Sequence, residues 1–170
     1  MSAPGRGPLH IFMRAGGWLL AVSAESVERI ALDEDVAWIE RRSLAARDGH
    51  LGSLAVAGVC YSAWDLGLML GLGAVEAAWV LLRLPLPAAP LPVALRVGTC
   101  VRVAPLPGAL SALPASLFRR RRAVAGAFLE GGGAALALDT LHLWNAEERA
   151  EAEEMQSRAA ALAAARRASA

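Results

Sequence analysis

The residues best suited to move protons or hold metals are few and scattered. Three histidines, His10, His50 and His142, are the side chains that ordinarily titrate nearest neutral pH, but they stand far apart, and Asp139-x-x-His142 at a strand end is a chance proximity. The two cysteines, Cys60 and Cys100, each sit inside an apolar run and read as small buried thiols. Neither has metal-ligand spacing, and no His-x-x-x-His or Cys-x-x-Cys cluster occurs, so no metal or other cofactor is expected. A phosphate-cradling Gly-x-x-x-x-Gly-Lys loop is ruled out, because the chain has no lysine. Gly131-Gly132-Gly133 reads as a hairpin tip. The nucleophile elbow Gly-x-Ser-x-Gly is missing too. Catalysis finds no support, and the expectation is a protein that is not an enzyme.

The sharpest electrostatic feature is Arg119 to Arg122. Its plain reading is a solvated loop before a strand. A functional alternative is a small β domain that binds an anionic ligand or a membrane surface through these arginines. Residues 123–170 carry a formal charge of −3, so the four arginines can also be balanced inside the molecule by the acidic start of the last segment. The whole chain has 17 basic and 16 acidic side chains, net +1, which argues against a nucleic-acid binder. At 170 residues and 56% apolar it is long enough for a core and too hydrophobic for intrinsic disorder. The longest uncharged stretch in the apolar middle, Gly49 to Trp64, falls short of the ~18 residues a spanning helix needs. Asp65, Glu76 and four prolines (Pro85, Pro87, Pro90, Pro92) interrupt the apolar chain beyond it. Direct membrane insertion is not expected. Met1 to Pro8 lacks the apolar core of a secretory signal, so the default location is the cytoplasm.

Positioning elements are read from periodicity. His10 to Val22, broken by Gly16-Gly17, predicts a hairpin, since glycines supply the positive φ of tight reversals. Ser23 offers an N-cap to a short helix through Val27, with Glu25 and Glu28 complementing its positive end. From Arg29 the chain turns extended, then passes a solvated turn at Asp33-Glu34-Asp35; Val36 to Asp48 is open between strand and helical turn. Leu51 to Leu72 predicts strands around a bend at Gly58, ending in a short helix or turn after Asp65. Trp79 to Leu82 is another strand. The proline segment must be a loop or an edge, because proline donates no ladder hydrogen bond. Val93, Leu95, Val97, Thr99, Val101 and Val103 alternate with Ala94, Arg96, Gly98, Cys100 and Arg102, predicting one half-buried strand. Ala123 to Leu129 and Ala134 to Leu138 form a last hairpin. From Asn145 the order of glutamates first and arginines last predicts a terminal helix with a thin apolar stripe, Met155, Ala159 and Leu162. The sum is eight to ten strands and one long helix, a mainly β chain. Among five tryptophans, Trp38, beside charged residues, is the one expected to be exposed and to anchor an interface.

The chain also echoes itself. Leu20 to Ile30 matches Leu95 to Val103, and Ala63-Trp64-Asp65-Leu66 matches Ala137-Leu138-Asp139-Thr140. Two copies predict two similar β lobes on a shared core, with the proline segment near residue 90 close to the crossover.

On these features the chain resembles the CheW-like domain family, adaptor modules of bacterial chemosensory arrays. The likeness rests on the opening hairpin leading to Val22-Ser23-Ala24-Glu25-Ser26-Val27-Glu28-Arg29-Ile30, the block Gly52 to Leu66 with Leu68-Met69-Leu70-Gly71-Leu72, and the closing Leu138-Asp139. It spans about residues 10–143, flanked by a flexible N-terminus (1–9) and the C-terminal helix (144–170). The resemblance implies two small five-stranded SH3-like β barrels side by side, no catalysis, and a bridge between a chemoreceptor's cytoplasmic tip and the regulatory domain of a histidine kinase. Carried over by position, partner-binding residues would be Val27, Arg29 and Ile30, with Ala55, Val56, Ala57 and Gly58. The sequence departs from the family where this matters. The usual Gly-Val-Val-Asn-Leu-Arg-Gly reads Gly52-Ser53-Leu54-Ala55-Val56-Ala57-Gly58, so Ala55 replaces Asn and Ala57 replaces Arg. Ser62 stands for the usual Pro, and Arg29 for a position that is often acidic. Altered partner specificity is the expectation.

Overall fold

A computed structural model describes residues 7–43, 49–73, 78–87, 89–114 and 120–169; of these, the side chain of Arg121 is left undescribed. Eleven strands appear among them: β1 Leu9–Ala15, β2 Trp18–Ser23, β3 Val27–Leu32, β4 Val36–Arg41, β5 His50–Val56, β6 Val59–Asp65, β7 Ala78–Leu84, β8 Leu91–Val97, β9 Cys100–Pro105, β10 Val124–Glu130 and β11 Gly133–Leu138. Two α-helices, α1 Leu66–Leu70 and α2 Ala146–Ala168, complete the regular structure with four 3-10 turns. The class is mainly β with a terminal helix, as the sequence predicts, and the strand count exceeds the expected range by one.

Two sheets form, one of five strands in the order β10-β11-β2-β1-β9 and one of six in the order β3-β7-β8-β6-β5-β4. Neither closes by hydrogen bonds, yet both roll up. In the six-stranded sheet the two edge strands, β3 and β4, are joined by only the three residues Asp33–Asp35, so its edges must meet. In the five-stranded sheet the edges β9 and β10 are tied by the Arg102–Glu130 ion pair. Two barrel-like lobes result, of five and six strands where five and five are expected.

Their cores form three layers. Phe12, Ala21, Phe128, Ala135 and Ala137 fill the first lobe, where Phe12 meets Phe128 edge-on at 5.8 Å. Leu54, Val56, Tyr61, Trp79 and Leu81 fill the second. The largest cluster lies between, where Ile11, Met13, Leu20 and Val22 of the first sheet pack on Val80, Leu82, Val93, Leu95 and Trp64 of the second. That seam explains why β8 is buried on both faces: its odd residues face the seam, while Ala94 faces the second lobe's interior.

The lobes do not follow each other along the chain. Hairpin β1–β2 is completed by β9, β10 and β11, while hairpin β7–β8 is completed by β3, β4, β5 and β6. The first half of the sequence thus donates β3, β4 and its closing hairpin β5–β6 to the other half's lobe, and the second half donates β9 and its closing hairpin β10–β11 in return. The matches are close: β2 pairs parallel with β11 as β8 pairs parallel with β6, and Asp65 and Asp139 each cap the turn that comes next, accepting from Leu68 N and Leu141 N. The proline segment joins β7 to β8 within one sheet, one strand before the chain crosses to the other sheet at Gly98, and Pro92 itself lies inside β8 opposite Arg83. It is tolerated there because pairing with β6 begins only at Val93.

The single strand predicted from Val93 to Val103 is two strands in different sheets. The chain breaks at Gly98, whose N–H donates to Arg14 O at 2.7 Å, while Arg14 N–H donates to Thr99 O at 3.0 Å. A Cβ at Gly98 would collide with Arg14 O, so the crossing needs glycine. As a result Val101 and Val103 are exposed instead of sharing the buried face of Val93. Ser23 does not cap through its side chain; one 3-10 turn, Ala24–Ser26, forms, and Ser26 Oγ donates back to Ser23 O at 2.7 Å. The open stretch from Val36 resolves as strand through Arg41, its end at 44–48 lying outside the described residues, as do Met1 to Arg6.

Candidate functional site

The two segments singled out by position both belong to the second lobe, one on its edge strand β3 and the other at the tip of hairpin β5–β6. Val27 is half-buried against the seam, and Arg29 and Ile30 are exposed on the edge strand β3. Ala55 and Val56 end β5; Ala57 and Gly58 turn the chain into β6 with φ of +49° and +81°. Two successive positive φ values define a type I′ turn, whose twist matches the flanking strands. Val56 is buried inside the lobe, so it can only shape the site, whereas Ala57 and Gly58 are exposed at its tip.

Beside the first segment lies a network the sequence reading does not include. Tyr61, the chain's one tyrosine, reaches from β6 to β3 and donates to Glu28 Oε2 at 3.5 Å. Glu28 in turn accepts from Arg83 Nε at 2.9 Å and Nη2 at 3.0 Å, a bidentate fork. Burial pushes the Tyr61 phenol above its ordinary range, the Glu28 carboxylate adds to the rise, and Arg83 and Arg29 oppose it. Glu28 reads from sequence as a helix-dipole partner; nothing local shows that a strand two places beyond its neighbour would bring Tyr61 to it.

At the other end of hairpin β5–β6 lies a buried polar cluster. His50 is fully buried and stacks on Trp64 at 4.2 Å and 10°. Ser62 Oγ accepts from Trp64 Nε1 at 2.9 Å and lies 3.3 Å from His50 Nε2. Beside it the buried pair Arg96–Asp65 closes at 3.0 Å, with the Arg96 guanidinium 5.9 Å from the Trp79 ring centre.

The remaining sequence candidates are dispersed. His142 pairs with Asp139 at 2.7 Å on the surface, and His10 bonds Pro8 O at 3.0 Å. Cys60 and Cys100 are half-buried, not fully buried as expected, and burial raises the Cys100 thiol. Among the described residues no group of three or more His, Cys, Asp or Glu is placed to hold a metal ion. Trp38 is half-buried, edge-on to Trp79 at 5.7 Å and covered by Arg41 at 4.8 Å. Of the arginine run, Arg119 lies outside the described residues and Arg122 is exposed, but Arg120 is internal, bonding Met69 O at 3.0 Å, Leu143 O at 2.6 Å and the Glu148 carboxylate. This is the internal balancing that the charge pattern allows.

Two rolled β lobes on one seam, with hairpin tips and strand edges at their rims, define a CheW-like fold. Among solved structures the chain is similar to the scaffolding protein TtCheW from Thermoanaerobacter tengcongensis, with a TM-score of 0.68 over 87% of this chain and 94% of that one. Identity is 12%, so the likeness is one of fold. No family model matches the sequence, and no curated protein matches it either.

Proposed function

We propose that this chain is a non-enzymatic cytoplasmic adaptor that couples a chemoreceptor's cytoplasmic tip to the regulatory domain of a histidine kinase, with partner specificity shifted from the family's usual one. The observation that carries the reading is the two-lobed fold shared over nearly the whole of a scaffolding protein. That Arg29, Ile30, Ala57 and Gly58 all belong to one lobe and are exposed supports it. A bridge transmits a signal only if its two surfaces keep a fixed relation, and the continuous seam between the lobes supplies that rigidity. The shift in specificity is inferred from Ala55 and Ala57: the missing amide and guanidinium remove directional contacts of about 1–3 kcal/mol each at a partner surface.

The test is calorimetric titration of the purified chain with a receptor-tip hairpin and, separately, with a kinase regulatory domain. Micromolar or tighter binding to at least one is expected, and the double variant Ala55→Asn/Ala57→Arg should bind the receptor tip more than tenfold tighter, as about 1.4 kcal/mol of restored contact gives. Binding to neither partner by either chain ends the proposal.

A further inference from the structure

The two lobes share a plan but not a strand count, and the difference falls at one place. Hairpin β10–β11 answers to hairpin β5–β6. Counted back from the tips, Glu130↔Gly133 and Val56↔Val59, Leu129 corresponds to Ala55, Ala127 to Ser53 and Gly126 to Gly52, and both ladders shift register just before those glycines. Beyond β5 stands β4, paired with it from Val36↔Val56 to Arg41↔Gly52. Beyond β10 the described residues give a single bridge, in which Ser111 N–H donates to Ala127 O at 2.7 Å and Ala127 N–H donates to Ser111 O at 2.9 Å. Ser111 thus stands where Glu40 stands beside Ser53, but no described residue pairs with Leu129 as Ala37 pairs with Ala55.

From this internal comparison we propose that the outer edge of β10 at Leu129 is a docking site for an extended, uncharged segment of a partner protein, which pairs there as β4 pairs with β5. Backbone groups that bond to one side recur at every second residue of an antiparallel strand, so the N–H and C=O of Leu129 point the same way as those of Ala127. No described contact engages them, and the Leu129 side chain is 79% exposed. The chain that leads into Ser111 stands off from β10. A cavity of about 360 Å³ opens between Pro107, Gly108 and Ala109 on one side and Phe128, Leu129 and Ala134 on the other, at the small end of the range for ligand pockets. Strand addition takes affinity from main-chain bonds and selectivity from pockets for alternate side chains. The Leu129 edge offers the first, and the cavity offers the second. An uncharged segment is the electrical complement: Arg102 on the facing edge β9 is already held by Glu130, and the cavity lining is apolar apart from the Ser111 hydroxyl. Exposed Val101 and Val103 continue that apolar surface on β9. Sheets ordinarily guard a free edge with charge or proline, and Leu129 provides neither. The site lies on the first lobe, whereas the candidate partner residues above belong to the second, so the inference stands independently of the adaptor reading.

The experiment is an NMR titration of the full chain with a short end-blocked peptide of alternating valine and threonine. Before peptide is added, the Leu129 amide should exchange at least about tenfold faster than the Ala127 amide, which is bonded to Ser111. With peptide, the Leu129 amide should become protected and show cross-strand contacts to it, with a dissociation constant of about 1 mM or tighter. Leu129→Pro removes an outward N–H and leaves the β11 ladder its bonds, so it should weaken binding by about tenfold or more while the β11 signals persist. Ala109→Trp, which fills the cavity from the facing side, should weaken binding likewise and serves if the proline variant fails to fold. A Leu129 amide as protected as Ala127 in the free chain, no binding at millimolar peptide, contacts confined to other surfaces, or binding unchanged in the folded variants would overturn the proposal. Leu129 protection that grows with protein concentration alone would seat a second copy at the edge and would overturn it equally.

Discussion

Asp65 carries three duties at once: it ends β6, caps α1 through Leu68 N–H and pairs with Arg96 inside the protein. Removing one member of a buried ion pair strands the other charge in a poor solvent, so Asp65→Ala should lower stability by about 3–5 kcal/mol in urea unfolding. Arg96→Met in the same chain should recover part of that loss, because it removes the orphaned cation. At the hairpin tip a substitution should stabilise instead. Ala57 holds a positive φ that a Cβ disfavours, and Ala57→Gly should raise stability by roughly 0.5–1 kcal/mol while leaving the type I′ turn intact. Cys100 tests burial by chemistry: with its thiol pushed up, thiolate is scarce at neutral pH, and alkylation followed by mass spectrometry should accelerate only as pH climbs past the ordinary thiol range.

At the scale of elements, α2 begins with a capping box in which Asn145 Oδ1 accepts from Glu148 N–H at 2.8 Å and Glu148 Oε2 accepts from Asn145 N–H at 2.9 Å. The same carboxylate holds Arg120, so Glu148→Ala removes both a cap and the partner of a largely buried guanidinium. A loss of about 2–4 kcal/mol is expected, visible as a lower urea midpoint, whereas Glu154→Ala, on an exposed pair, should change it by less than about 0.5 kcal/mol. Elements of this kind are legible in the sequence because their signals are local: the glutamate-to-arginine order of α2, the Gly-Gly reversal of β1–β2, and the alternation around Gly58. The features that escape it are long-range. The run from Val93 to Val103 keeps period two across Gly98, and period two says which residues share a side of a strand but not which sheet receives it. Likewise, Tyr61 reaches the Glu28–Arg83 pair only because the six-stranded sheet rolls, and Glu151 reaches Arg42 and His50 only because α2 folds back. The positions of the candidate partner residues come from the family likeness; their shared lobe comes from the fold.

On the scale of the whole molecule, the exchange of strands between halves has a direct test. Polypeptides cut between Leu72 and Ala78 should each be unfolded alone, because each holds hairpins whose sheet partners lie on the other, and mixing them should restore the β circular dichroism spectrum. Two halves that fold separately would refute the reading that neither lobe is self-sufficient. Most contacts here join distant parts of the chain, so folding of the intact protein should be slow for its size, in the range of milliseconds to seconds.

A unit that is complete only when its twin lends it an edge and a closing hairpin is, in symmetry terms, an intertwined pair. Had the two copies been separate molecules, each would have needed a second to fold, and dilution would have dissolved them. Threading both onto one backbone fixes the stoichiometry and frees the copies from having to be identical. One rim can then drift toward a new ligand while its counterpart goes on holding up the shared interior.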